Sequence, residues 1–281
     1  MAVKGKAPGR SAAKPRVDAE ATSPFDIRRD QRMASARNTI GERPSARPLY
    51  LQVKDHLIRR VLAGDWGPGG MLPSEMKLAE EYGLSQGTVR HAIEEMAVEG
   101  LVTRQSGRGT FVASHKGDYK PFRFSRFFLA SGETLAGSEV RYLASSNIKA
   151  TARVAAGLQL AAGEPVSRLV RARCHRGAPV LVDFMYLGEE LCPDADTVIF
   201  QQRPNSLYLA LEQVYNLLVV RVDERIRARL INREEARLLD APGDVPVLEV
   251  ERTAYSLGGE PVEWRISVCR TDQLVYLNRT T

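Results

Sequence analysis

Large apolar side chains recur at every fourth position from Leu49 through Val53 and Leu57 to Val61, and Gly64 follows where a helix C-cap glycine belongs. That spacing predicts an amphipathic helix with one buried stripe. Leu72-Pro73-Ser74-Glu75 then sets an N-capping serine after a proline, with Glu75 at the positive end of the helix dipole and Met76, Leu78 and Ala79 continuing a second, short helix to about Tyr82. Gly83-Leu84-Ser85 supplies a residue tolerant of left-handed backbone, an apolar anchor and another capping serine. A third helix follows, with Val89, Ile93, Met96 and Ala97 inward and Gly100 at its end. Next, Leu101 to Arg104 and Thr110 to Val112 read as short strands joined by Gln105-Ser106-Gly107-Arg108-Gly109.

Helix, helix, glycine-centred turn, helix and hairpin is the order of a winged helix-turn-helix. A plain three-helix bundle accounts for the apolar spacing, but not for the turn between two short helices nor for a basic hairpin directly after them. In such a motif the second helix lies in the major groove with its first residues at base edges. Those residues are Ser85, Gln86, Gly87, Thr88 and Arg90. Arg90 suits guanine and Gln86 adenine, Gly87 permits close backbone approach, and Ser85 and Thr88 suit phosphate oxygens. Arg104, Gly107 and Arg108 belong to the wing, along the minor groove or backbone. The acidic residues Glu80, Glu81, Glu94, Glu95 and Glu99 are expected away from that surface.

Beyond His115 the chain is rich in strand signals. Val166 to Cys174 with Val180 to Leu187, and Val247 to Ser256 with Val262 to Val268, form two hairpins that look like copies. Each follows a helical stretch (Ala152 to Leu160; Arg233 to Leu239), and each has Gly-x-Pro-Val at its turn. The natural reading is an internal duplication in one antiparallel sheet with helices on one face. Ser206 to Tyr215 reads as a helix between the copies and Val219 to Leu230 as a long strand. The fold class expected is α+β: a tail over residues 1–47, a DNA-binding domain over 48–114, a linker over 115–122 and a sensor over 123–281. The tail is too poor in large apolar residues to offset the entropy of ordering it, a short helix around Phe25 to Ala36 aside. It is either a solvated segment or a phosphate-contacting arm.

Composition narrows the function. At 281 residues, 43% hydrophobic and 26% charged, the chain can bury ordinary globular cores, and it contains neither an apolar run of membrane-spanning length nor a signal peptide, so a cytoplasmic protein without membrane contact is expected. Three widely spaced cysteines, Cys174, Cys192 and Cys269, read as reduced buried thiols, and with four scattered histidines neither a metal site nor a cofactor is expected. The net charge of +6 is concentrated in the tail: residues 1–44 hold ten Lys/Arg against five Asp/Glu, whereas residues 48–115 hold seven against eight. Bulk charge therefore does not mark the DNA-binding module; position does.

The run Leu72-Pro73-Ser74-Glu75, Leu78-Ala79, Gly83 to Arg90, Ala92-Ile93, Glu99-Gly100-Leu101 and Gly107 to Val112 closely resembles the GntR family of transcription regulators. The family often carries Arg where this chain has Met76 and Gln86. That departure implies an operator different from the family's commonest one. The C-terminal part, from about Arg123 to Tyr276, resembles the UTRA sensor domain of the HutC subfamily, of chorismate-lyase-like fold, through Gly163-Glu164-Pro165-Val166, Tyr186-Leu187, Ser206-Leu207-Tyr208, and Glu263 with Ile266-Ser267. The resemblance implies an effector held by Arg171, Arg173, Asp183, Ser206, Tyr208 and Glu263.

Side-chain geometry independently favours part of that set. Arg171 and Arg173 are two apart on a strand and share a face, and Asp183 lies on the strand the hairpin brings alongside. Two guanidiniums on one face suit a carboxylate or a phosphate; a solvent-facing charge ladder, or neutralisation of Glu263 by Arg265, is the competing reading. The expected function is a homodimeric regulator, a repressor by default, that binds double-stranded operator DNA and responds to a small anionic metabolite. An enzyme of lyase-like fold is the rival, but no nucleophile, base or metal constellation supports one.

Overall fold

A computed structural model describes residues 47–116, 124–135 and 138–278. The expectations for the N-terminal tail, and for the linker between Lys116 and Phe124, lie outside the described residues. Three helices open the described chain: α1 (Leu49–Ala63), α2 (Glu75–Tyr82) and α3 (Gln86–Val98). Ser74 and Ser85 cap α2 and α3 by accepting from the backbone N–H groups of Lys77 and Thr88. These bonds satisfy donors that a helix start otherwise leaves unpaired. Gly83 ends α2 at φ 63°, in the left-handed region where a side chain would be strained. The turn between α2 and α3 depends on it. Val53, Leu57, Leu78, Val89, Ile93 and Met96 fill the centre of the module. The wing is the hairpin β1 (Val102–Gln105) and β2 (Gly109–Val112).

The remainder is built on a six-stranded antiparallel sheet. In chain order its elements are β4 (Glu139–Lys149), α4 (Ala152–Leu158), β5 (Pro165–His175), β6 (Ala178–Gly188), α5 (Ala195–Gln202), α6 (Leu207–Tyr215), β7 (Val219–Leu230), α7 (Arg233–Leu238), β8 (Pro246–Ser256) and β9 (Pro261–Arg270). The spatial order is β4-β5-β6-β9-β8-β7. Two copies of strand, short helix and hairpin thus meet at the β6–β9 pair, and each run of three strands mirrors the other. The duplication read from the two hairpins extends to a preceding strand in each copy, including β4, which the sequence pattern did not reveal. A small ribbon of β3 (Phe127–Leu129) and β10 (Leu274–Tyr276) completes the domain.

The expectation of helices on one face is corrected. Alternation along β6 sends Val182 and Phe184 into the core capped by α7, while Met185 and Leu187 enter a core shared with α5 and α6. The helix α4 lies on the α7 side, where an added Cβ at Gly157 would fall 2.3 Å from Trp264 Cδ1. Only a glycine admits so close an approach of helix to indole. Both sheet faces are therefore covered. Charges bridge the α4 and α7 side: Arg153 of α4 pairs with Glu249 and Glu251, and Arg229 with Glu249 and Glu235.

A cation-lined cavity beside the DNA-binding module

The sheet face opposite α4 and α7 carries a cavity of about 50 Å³. Strands β5, β6, β8 and β9 contribute Arg171, Arg173, Asp183, Arg252, Arg265 and Ser267 to its walls; the first turn of α6 adds Ser206, Leu207 and Tyr208, and Phe124, Phe127 and Leu135 close it from the segment before β4. Five of the six expected effector residues come together there: Arg171, Arg173, Asp183, Ser206 and Tyr208. Glu263 does not line the cavity; it is wholly buried behind it and paired with Arg265 at 2.5 Å.

Asp183 is the electrostatic centre. One carboxylate oxygen is 2.9 Å from Arg171 Nε, 3.6 Å from Arg265 Nη1 and 4.0 Å from Arg173 Nε, and the other accepts from Ser267 Oγ at 2.5 Å. Burial alone raises a carboxyl pKa, but three guanidiniums outweigh it and hold Asp183 well below the usual carboxylate range. Arg171 is 1% exposed. A solvent-facing charge ladder is thereby excluded for this residue. Its Nη1 is buried and lacks a hydrogen-bond partner. Burial, reinforced by the neighbouring Arg171, pulls the Arg173 guanidinium down to about 9. Burial likewise pushes the Tyr208 phenol up to about 12, so it stays a neutral donor at physiological pH.

Arg252 was not among the expected residues. Its guanidinium donates to Glu224 at 2.6 Å, to the backbone oxygen of Phe124 at 2.6 Å and to Tyr208 Oη at 3.5 Å. The duplication held the signal that would have found it. Aligning the copies on Pro165 and Pro246 sets Arg252 opposite Arg171, and aligning them on Pro179 and Pro261 sets Arg265 opposite Asp183. Ser206 has a structural duty as well, since it caps α6 by accepting from Leu209 N.

The same helix reaches the DNA-binding module. One turn beyond Tyr208, the buried Glu212 accepts from Ser114 Oγ at 2.5 Å and from His115 N at 2.6 Å. The His115 ring donates to the Val219 carbonyl at 3.0 Å and lies 5.7 Å from the Tyr208 ring. Leu218, Val220 and Leu257, all from the six-stranded-sheet domain, join the apolar core of the three-helix module.

On the DNA-binding module, Ser85, Gln86, Gly87 and Arg90 are exposed at the start of α3 with Thr88 half-buried beside them, and Arg104, Gly107 and Arg108 are exposed on the wing. Ser85 and Thr88 hydroxyls bond each other at 2.9 Å. His91 stacks on Tyr50 with ring centroids 3.9 Å apart. Glu94 departs from expectation: it approaches Arg104 to 3.8 Å rather than facing away from the wing. The projection of α3 toward β1 brings it there.

The profile of the gntR family of bacterial regulatory proteins matches residues 49–112, and that of the UTRA domain matches residues 136–274. The histidine utilization repressor of Pseudomonas putida is 30% identical over 225 residues, covering 79% of this chain and 87% of that protein. The chain belongs to the GntR family. It is a DNA-binding transcription regulator of that family with a UTRA sensor, not an enzyme. The transcriptional repressor NagR of Bacillus subtilis is 28% identical, covering 82% of this chain and 94% of its own. Among solved structures, the ligand-binding domain of a GntR-family regulator from Bordetella bronchiseptica aligns with TM-score 0.51 at 28% identity, over 57% of this chain and 99% of that one. Among the described residues no helix is long and apolar enough to cross a membrane.

Proposed function

We propose that this GntR-family regulator is a cytoplasmic, homodimeric repressor whose UTRA cavity takes up a small metabolite bearing a carboxylate or phosphate, and that the bound anion lowers operator affinity. The observation that carries the reading is a charge imbalance. Among the described residues, four arginines (Arg171, Arg173, Arg252, Arg265) face the cavity, against the three carboxylates of Asp183, Glu263 and Glu224 that pair with them. A buried cation without a matching anion is costly. An incoming carboxylate or phosphate supplies the missing charge, with Arg173, the unpartnered Nη1 of Arg171, Ser206 and Tyr208 as its donors. Repression is favoured by the relatives, and a dimer by the small reading surface of one recognition helix, which two-fold pairing doubles. Ser85, Gln86, Gly87, Thr88 and Arg90 read the operator, and Arg104, Gly107 and Arg108 secure the wing.

Thermal unfolding in the presence of phosphate- and carboxylate-bearing metabolites tests the reading. A cognate anion at 100 times its dissociation constant stabilises by about 2.7 kcal/mol. Replacing both Arg171 and Arg173 would confound a loss of binding with a loss of fold, because Arg171 is bound to Asp183. Arg173→Gln is the cleaner variant, its side chain being 12% exposed and 4.0 Å from the nearest carboxylate. The stabilisation should vanish in Arg173→Gln while operator affinity persists. Stabilisation confined to neutral or cationic compounds would contradict the proposal.

A further inference from the structure

Two arginines assigned to DNA converge on one carboxylate. Glu75 is the first residue of α2, immediately after the Ser74 cap, and is 19% exposed. Its Oε2 accepts from Arg90 Nε at 2.8 Å and its Oε1 from Arg104 Nη2 at 2.9 Å. Isolated exposed ion pairs contribute little to stability. A carboxylate on a DNA-facing surface also repels phosphates, so on charge alone this one is unfavourable for binding.

We propose that Glu75 is a positioning residue for operator recognition, holding the base-reading arginine of α3 and the wing arginine of β1 in a fixed relation. The inference rests on the reading of Arg90 and Arg104 as DNA contacts. With Arg90 Nε donating to Glu75, its two Nη groups stay free and the guanidinium points end-on, so that two donors can meet guanine O6 and N7 together. Holding the same guanidinium without Glu75 would require freezing a long side chain at the moment of binding, at the cost of its rotamer entropy. Arg104, bound to Glu75 through Nη2 and with Nη1 3.8 Å from Glu94, keeps its Nε for a phosphate. A carboxylate is the group that can hold both, because it offers two acceptor oxygens, whereas an amide offers one.

The test uses the full-length protein, with the preferred duplex first selected from a random library by the wild type. Glu75→Ala, Glu75→Gln, Arg90→Ala and the double variant Glu75→Ala/Arg90→Ala are compared by fluorescence anisotropy on that duplex and on a scrambled one, and each is put through its own selection. Glu75→Ala should bind the selected duplex about 5- to 150-fold more weakly, the range one bidentate base contact spans. It should bind the scrambled duplex no more weakly than the wild type does, and lose preference at the same base pair as Arg90→Ala. The double variant should be little weaker than Arg90→Ala alone. Glu75→Gln, nearly isosteric and keeping one acceptor, should fall between wild type and Glu75→Ala, which separates positioning from a failure to fold. Tighter binding of both duplexes by Glu75→Ala, or an unchanged base preference, would overturn the proposal. Should Arg90→Ala itself leave the base preference unchanged, the reading of Arg90 fails and the role of Glu75 fails with it. Should Arg90→Ala relax the preference and Glu75→Ala not, only the role of Glu75 is refuted.

Discussion

Replacing Asp183 by alanine removes the one carboxylate shared by Arg171, Arg173 and Arg265. Asp183 and Arg171 are each 1% exposed, so the guanidiniums left behind cannot recover full hydration without opening the sheet. Removal of one partner from a buried pair costs about 3–5 kcal/mol, a large share of the 5–15 kcal/mol that holds a typical domain folded. At about 2–4 °C per kcal/mol for a chain of this size, the melting temperature should fall by about 6–20 °C. Calorimetry or circular-dichroism melting measures it directly, and Asp183→Asn, close in shape, should lose somewhat less. Inorganic phosphate should restore part of the loss, raising the variant's melting temperature more than the wild type's. The pH dependence has a definite sign. Because the folded-state pKa of Asp183 is depressed, its contribution is present above the unfolded value of about 3.9 and is lost as pH falls toward the folded value. Wild-type and variant stabilities should therefore converge in acid. A loss below about 1 kcal/mol at pH 7, with no preferential response to phosphate, would refute the view of Asp183 as the counter-ion that holds Arg171, Arg173 and Arg265 together.

Two further outcomes are expected. Arg108→Ala should weaken binding to all duplexes and flatten the dependence of affinity on salt by about one phosphate contact, as measured by anisotropy across a salt series; an unaltered slope would remove the wing tip from the backbone. Gly157→Ala should destabilise the sensor by about 1–3 kcal/mol in chemical denaturation, because its Cβ would overlap the Trp264 ring at 2.3 Å.

The DNA-binding module was legible because its signals are local: apolar period, two serine caps and the glycine at φ 63° all lie within a few residues of what they determine. The hairpins of the sensor were legible through their repeated Gly-x-Pro-Val turns. The strand β4 escaped because it lies at the sheet edge, and the alternation of Val140, Tyr142 and Ile148 with polar residues is broken by the bulge between Tyr142 and Ala144, where Leu143 is exposed, into runs too short to mark a strand. The covering of both sheet faces escaped for a related reason: β5, β6 and β9 are apolar on both sides apart from the arginines and acids, and a continuous apolar run does not say which helix lies where. At the cavity, Arg171, Arg173 and Asp183 were accessible because one hairpin places them together. Arg252 was not, since it arrives from another copy of the repeat through the β6–β9 junction. The sequence shows Glu75 only as a helix-dipole partner; its two arginines are 15 and 29 residues away, and contacts at such separations leave no periodic trace.

The central claim is that the cavity and the DNA-reading surface are thermodynamically linked, with α6 carrying the link from Tyr208 to Glu212 and so to Ser114 and His115. The most direct measurement is a full binding cycle: operator affinity with and without a saturating anion identified by thermal shift, and affinity for that anion with and without saturating operator, in the wild type and in Glu212→Gln. Linkage requires the two factors to be equal, and typical couplings are about 5- to 150-fold. The account predicts equal factors in that range for the wild type, and a factor near one for Glu212→Gln, which loses the charge and whose amide can accept from only one of the two donors, Ser114 and His115. An anion that binds the wild-type cavity tightly while leaving operator affinity unchanged would contradict it.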